Sequence, residues 1–243
     1  MHILRASQRS THGQGSFHIE RVRPGPGDGP SGDLAFGPLA LFDHASLGVG
    51  TVVRMHEHVN DEILSYMWRG TMHHEDRAGH KVPISANRLM MMNAGESFWH
   101  QERTIDEAVE MLQIFVRPRE ADLPPEITFF DRPEGIARGE WSRIAGPDGS
   151  DAPLTVRNIV HVHDAELGAG EGIDVLSQAG LSQFLYVMDG VIEIGGETLQ
   201  KGDAVRASEA ALPRVLTTSD TTLVLFLVDP DAASSTAGSM SGR

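Results

Sequence analysis

The chain reads as an all-β protein of the sandwich or barrel type, and three observations predict this. Its 26 glycines and 13 prolines interrupt the 243 residues too often for long helices. Its apolar segments are short and rich in β-branched residues, among them VGTVVRM, ILSYMWR, VEMLQIFV, PLTVRNIVHV, FLYVMDG and TTLVLFLVD. Turn signals such as EDRAGH and KGDAV stand beside them, the clearest being VIEIGGETL, where Gly195-Gly196 can take the positive φ angles of a two-residue hairpin turn.

Taken in order, residues 1–33 form an N-terminal segment whose end, RPGPGDGPSGD, is a Gly/Pro loop expected to cross the surface or flex. Residues 34–130 form a first β unit, 131–152 a connection rich in proline and charge, and 153–231 a second β unit. The small, polar residues 232–243 are expected to be disordered or only loosely attached. Short helices are expected around 134–138 and 207–212. The two units look like distorted copies, because Leu64-Ser-Tyr66-Met-Trp-Arg-Gly70 matches Phe184-Leu-Tyr186-Val-Met-Asp-Gly190.

Composition excludes several functions. Thirty-four acidic against 20 basic residues give a net charge of −14, which repels phosphate backbones, and no local basic patch offsets it. The absence of cysteine excludes disulfides, thiolate zinc sites, iron–sulfur clusters and a cysteine nucleophile. The start, MHILRASQRSTHGQ, lacks an apolar signal core and no stretch approaches 18 apolar residues, so the expected location is the cytoplasm, with no membrane association.

The chemistry concentrates in the first unit. His56 and His58 end the strand-like VVRMHEH, and alternation along a strand puts both imidazoles on one face with Glu57 on the other. His100 and Glu102 repeat that spacing in SFWHQER. On neighbouring strands the two pairs would bring three nitrogens and one carboxylate together. His161-Val-His163 is a second H-x-H with no evident partner pair. His73 and His74 face opposite ways, so at most one looks inward, and both are read as polar strand residues. Met90, Met91 and Met92 are read as core filling; Trp68 and Trp99 suit a pocket wall or a core equally.

Gly50, His56, His58, Glu62 and Gly70 are spaced as G-x5-H-x-H-x3-E-x7-G, close to the first cupin motif, and Ala94-Gly95-x4-His100-x-Glu102 resembles the corresponding segment of the pirins. Phe36-Gly-Pro-Leu, His74-x-Asp76-x-x-Gly79 and Leu112-Gln-Ile-Phe-Val-x-Pro118 are further pirin-like marks. The chain therefore resembles the pirin-like bicupins, well from Leu34 to about Pro118 and in outline beyond. The resemblance implies two jelly-roll-type cupin barrels in one chain. The first would bind metal through His56, His58, His100 and Glu102. Two departures stand out: Glu57 where pirins usually carry proline, and Ser97-Phe98 in place of Gly-Ile.

Three imidazoles and a carboxylate suit one divalent ion, with Fe(II) preferred and Mn, Ni, Cu or Zn open. Fe(II) is preferred because four protein ligands leave two positions for oxygen chemistry, and because the resemblance is to iron proteins. Protons on His56, His58 and His100, each with a reference pKa near ~6.5, should compete with the metal. Glu62 is an outer-shell carboxylate, an alternative ligand or a rival base, since counting four from His58 gives it the same strand face. In the second unit Leu176, Gln178, Val215 and Thr217 stand opposite the four ligands, so this cupin is expected to lack metal. The implied activity is that of a flavonol (quercetin) 2,3-dioxygenase, acting with O2 on a small 3-hydroxy-4-keto or related hydroxyketone substrate that gives its proton to Glu102 or Glu62. The alternative is a metal-dependent module that binds a protein partner without catalysis.

Overall fold

The computed structural model describes residues 1–26 and 32–242 and is built almost wholly of strands. Among the described residues the one helical element is the 3-10 turn Ala6–Gln8. The strands form an eleven-stranded sheet, a seven-stranded sheet and a four-stranded sheet. In the first, Leu39–Leu47, Val109–Val116, Glu62–Arg69, Arg88–Asn93, Lys81–Ser85, Thr71–Asp76, Phe98–Thr104 and Val52–His58 follow one another as hydrogen-bonded neighbours and curl into the N-terminal barrel. The C-terminal barrel packs the seven-stranded sheet on the four-stranded one, with Ala165, Leu185 and Leu223 of the former meeting Ile192, Leu199 and Val215 of the latter in one buried cluster. This is the expected bicupin.

The two barrels share a core. Phe42, Tyr66 and Ile114 of the first lie in one cluster with Phe184, Tyr186 and Phe226 of the second. Phe42 stacks on Phe226 at 5.6 Å and meets Tyr186 edge-on at 5.0 Å. The central strands are consequently buried on both faces, and LALF, FLYV and LVLFLV read as continuous apolar runs rather than as alternating strands. The Tyr66 hydroxyl donates to Asp164 Oδ2 at 3.0 Å, and Arg132 pairs with the same oxygen at 2.5 Å. The copies correspond as the sequence suggests. Strands Glu62–Arg69 and Ser182–Asp189 each end on a glycine of positive φ, Gly70 at 80° and Gly190 at 92°, where a side chain would strike the backbone of the opposite loop. The Gly195-Gly196 hairpin also forms, with φ of 59° and 84° between Val191–Ile194 and Glu197–Gln200.

Several expectations need correction. The N-terminal segment contributes strands to the sheets of both barrels. His2–Leu4 pairs with Ala204–Ala207 in the C-terminal sheet, whereas Thr11–Gln14 and Phe17–Val22 extend the first sheet beside Leu39–Leu47. Of the Gly/Pro loop, residues 27–31 lie outside the described residues; Gly25 N donates to Leu34 O at 2.7 Å across it. The presumed connection contains Ser142–Pro147, a strand of the C-terminal sheet paired with Val160–Leu167. Neither short helix exists: residues 134–138 form turns around Gly135 at φ 75°, and 207–212 follow a strand end as bends. The tail is not loose. Ser241 is fully buried, Met240 packs on the cluster of Leu41, Ile63, Met92, Ala94, Phe98 and Phe115, and Ser235 N donates to Pro118 O at 2.8 Å.

Candidate metal centre

Strands Val52–His58 and Phe98–Thr104 are antiparallel neighbours with His56 directly opposite His100 and His58 opposite Phe98. A bulge between His100 and Glu102 sets Glu102 against Val53, where a regular ladder would reach Arg54. Glu102 stays on the buried face with His100, and its ligand atom lies close to those of His100 and His74. The ring centroids lie 4.9 Å (His56–His58), 4.4 Å (His56–His100) and 5.3 Å (His58–His100) apart. Each of the three offers a ring nitrogen within 4.8 Å of the others. Glu102 joins through His100, its Oε1 3.8 Å from His100 Nδ1, and through His74; His74, His100 and Glu102 form a second such group. His100 and Glu102 are buried, and His56 is the ring that reaches towards solvent.

Hydrogen bonds fix where the lone pairs point. His58 Nδ1 donates to Asp61 Oδ2 at 3.1 Å and His56 Nδ1 donates to the Arg54 carbonyl at 2.8 Å. In neutral rings both Nε2 atoms then carry lone pairs, and these face each other at 3.0 Å. Two apposed lone pairs repel unless a cation or proton lies between them. Beside them, both nitrogens of His100 and Glu102 Oε1 are buried with no hydrogen-bond partner among the described residues. Such orphaned polar atoms are costly in a protein interior, and a divalent ion would satisfy one His100 nitrogen and one Glu102 oxygen together with the facing His56 and His58 lone pairs. The residues fit a metal.

The protonation states follow from burial. Desolvation, aided by the neighbouring imidazoles, lowers His100 to about 2, and desolvation lowers His56 as well. Desolvation raises Glu102 to about 7. The expectation of three competing imidazole protons therefore changes, because His100 holds no proton to displace near neutrality. Below about pH 7 Glu102 holds the proton that a metal must expel. Apparent affinity should therefore fall as pH drops from 7 towards 5, with the Glu102 proton among those displaced. Titrations with a metallochromic chelator in that range would check this; flat affinity would contradict ligation by these groups.

Glu62 stands elsewhere. Its carboxylate is buried against the C-terminal barrel, with Arg157 Nε donating at 2.9 Å, Arg157 N at 3.0 Å and Asn93 Nδ2 at 2.5 Å. Both oxygens are occupied, which leaves neither a base nor a ligand. Glu62→Gln should cost about 3 kcal/mol by stranding the buried Arg157 guanidinium, yet leave metal affinity near wild type; denaturant unfolding and metal titration would check the pair.

His74, read from sequence as an ordinary strand residue, faces inward with Met72 and Asp76, while His73 faces outward. Its Nε2 donates to Asp76 Oδ2 at 3.1 Å, so its buried Nδ1, without a hydrogen-bond partner among the described residues, is a lone pair near Glu102. The alternating burial of the TMHHED strand could have revealed it only once Met72 was known to be core. Neither tryptophan walls the site: Trp68 lies between the barrels under Arg69 and Lys201, and Trp99 stacks with Arg77. The methionines at 90–92 are core, as expected. The two departures from the pirin pattern meet each other, since Ser97 Oγ donates to Glu57 Oε1 at 2.5 Å on the outer face.

A bicupin with a His-rich cluster in its N-terminal barrel is the class that fold and site define. Two family models match the chain, "Pirin" over residues 35–116 and "Quercetinase C-terminal cupin domain" over residues 143–228. The chain belongs to the pirin family. The pirin-like protein of Caulobacter vibrioides is 26% identical over 79% of this chain and 84% of its own length. The quercetin 2,3-dioxygenase of Escherichia coli is 24% identical over 81% of this chain and 85% of its own length. A Mycobacterium tuberculosis relative is 30% identical over 70% of this chain and 71% of its own length. Among solved structures, the bacterial pirin YhhW from Escherichia coli in complex with nickel(II) superposes with a TM-score of 0.81 at 21% identity, covering 93% of this chain and 98% of that one. Among the described residues no helix is long and apolar enough to cross a membrane.

Proposed function

We propose that the protein is an Fe(II)-dependent dioxygenase of flavonols or related small hydroxyketones, with one metal held by His56, His58, His100 and Glu102 in the N-terminal barrel. The observation that carries this reading is the pair of facing His56 and His58 lone pairs beside the orphaned His100 and Glu102 acceptors. Relatives named quercetin 2,3-dioxygenase support the substrate class. When bound, the ion would supply Lewis acidity and a place for O2.

The protein's own residues supply the rest. Phe98 and Phe115 give the three imidazoles an apolar backing, Phe115 lying 5.9 Å from the His58 ring and Phe98 6.4 Å from His100. Exclusion of water there strengthens every polar interaction with the substrate. Glu102 has two carboxylate oxygens, so one can hold the ion while the other accepts the enol proton of a bound substrate. A hydroxyketone deprotonated in this way becomes the electron-rich partner for oxygen. Glu102 is thus the base, and Glu62 is withdrawn from that role by Arg157.

The test is an anaerobic titration of the Fe(II)-loaded protein with quercetin, followed by admission of oxygen. The expected result is a visible-band shift that requires metal, then oxygen uptake in step with flavonol loss. Full metal loading with neither effect, for any flavonol or enediol, would favour the protein-binding module instead.

A further inference from the structure

The C-terminal segment makes contacts of a kind that its composition does not suggest. Asp61 lies three residues beyond His58 and is fully buried. Its carboxylate receives Ser239 Oγ at 2.6 Å, Ser241 Oγ at 2.7 Å, Ser241 N at 2.8 Å and Met240 N at 3.1 Å, all from the tail. Its remaining partner is His58 Nδ1. The tail is itself fastened at both sides of this contact. Ser239 N donates to Val59 O at 2.8 Å, and Arg117 Nε donates to Ser241 O at 2.8 Å. Gly238 passes so close that an added Cβ would sit 2.6 Å from Asp61 Oδ1.

A buried carboxylate has about four lone-pair directions to satisfy, and His58 fills one. The tail fills the others and thereby holds the oxygen that His58 addresses. A donated Nδ1 proton fixes the tautomer and the plane of an imidazole, which aims its Nε2 lone pair. We propose that residues 235–242 are a positioning strap for the metal centre: acting through Asp61, they hold His58 in the ring orientation and tautomer that present Nε2 to the ion. Its effect on affinity rests on the metal ligation proposed above; its effect on the His58 ring does not.

The test uses full-length Gly238→Ala and Ser239→Ala/Ser241→Ala, with Ni(II) as the probe and nitrogen-15 NMR of the His58 ring in the metal-free protein. The strap predicts a Ni(II) affinity about 10–100-fold weaker, the usual effect of losing an outer-shell partner. It also predicts loss of the His58 Nδ1–H signature, while Ser239→Thr keeps both. A merely structural tail would lower the melting temperature and leave both readouts alone. Unchanged Ni(II) affinity with an unchanged His58 signature in both variants overturns the proposal. If His56→Ala/His58→Ala binds Ni(II) as tightly as wild type, the ligation has failed instead. The strap then stands on the signature, supported by its loss and refuted by its retention.

Discussion

Glu102→Gln, saturated with metal, should still bind a hydroxyketone but turn over about 10²–10⁴-fold more slowly, the usual weight of a general base. The amide keeps the shape of the carboxylate and one coordinating oxygen, so loss of rate at full loading isolates proton transfer from ligation. Two features support placing the proton on this residue. Its second carboxylate oxygen stays free when the first holds the ion, and among the described residues its Oε1 has no hydrogen-bond partner in the metal-free protein. Single-turnover flavonol consumption at fixed metal occupancy is the measurement. Near-normal turnover would leave Glu102 a ligand only. Glu62→Gln is the matched control and should keep its rate while it stays folded, because Arg157 already occupies that carboxylate.

Changing His56 and His58 together to alanine should abolish stoichiometric metal binding. The pair supplies two of the three clustered imidazoles, and what remains, His100 with Glu102 and His74, offers only the buried second group. The C-terminal barrel provides no substitute at the matching positions, where Leu176, Gln178, Val215 and Thr217 stand. Cobalt(II) absorption titrations of the variant should show no saturable band, and an affinity equal to wild type would place the metal elsewhere.

Much of this was legible in the sequence because the information is local. The H-x-H and H-x-E pairs announce a shared face through strand alternation alone, and the pairing of His56 with His100 follows once the two strands are neighbours. What escaped depends on geometry between distant segments. Counting from His58 to Glu62 crosses a turn, where Asn60 takes φ 52°, and Glu62 belongs to the next strand, so facing could not be carried across. His74 became a neighbour of Glu102 only through the register of Thr71–Asp76 on Phe98–Thr104, which places Glu102 opposite His74. The tail reads as disordered because it has almost no apolar residue, yet its hydroxyls and amides are the donors that a buried Asp61 requires. Composition reports what a segment can bury, not which acceptor waits for it.

Elemental analysis of untagged protein, with metal set against chain concentration, decides whether the N-terminal barrel holds the metal. One metal ion per chain is expected, with iron predominating, and its loss in His56→Ala/His58→Ala. Two ions per chain, or full oxygen consumption with a flavonol by protein stripped of metal, would contradict it.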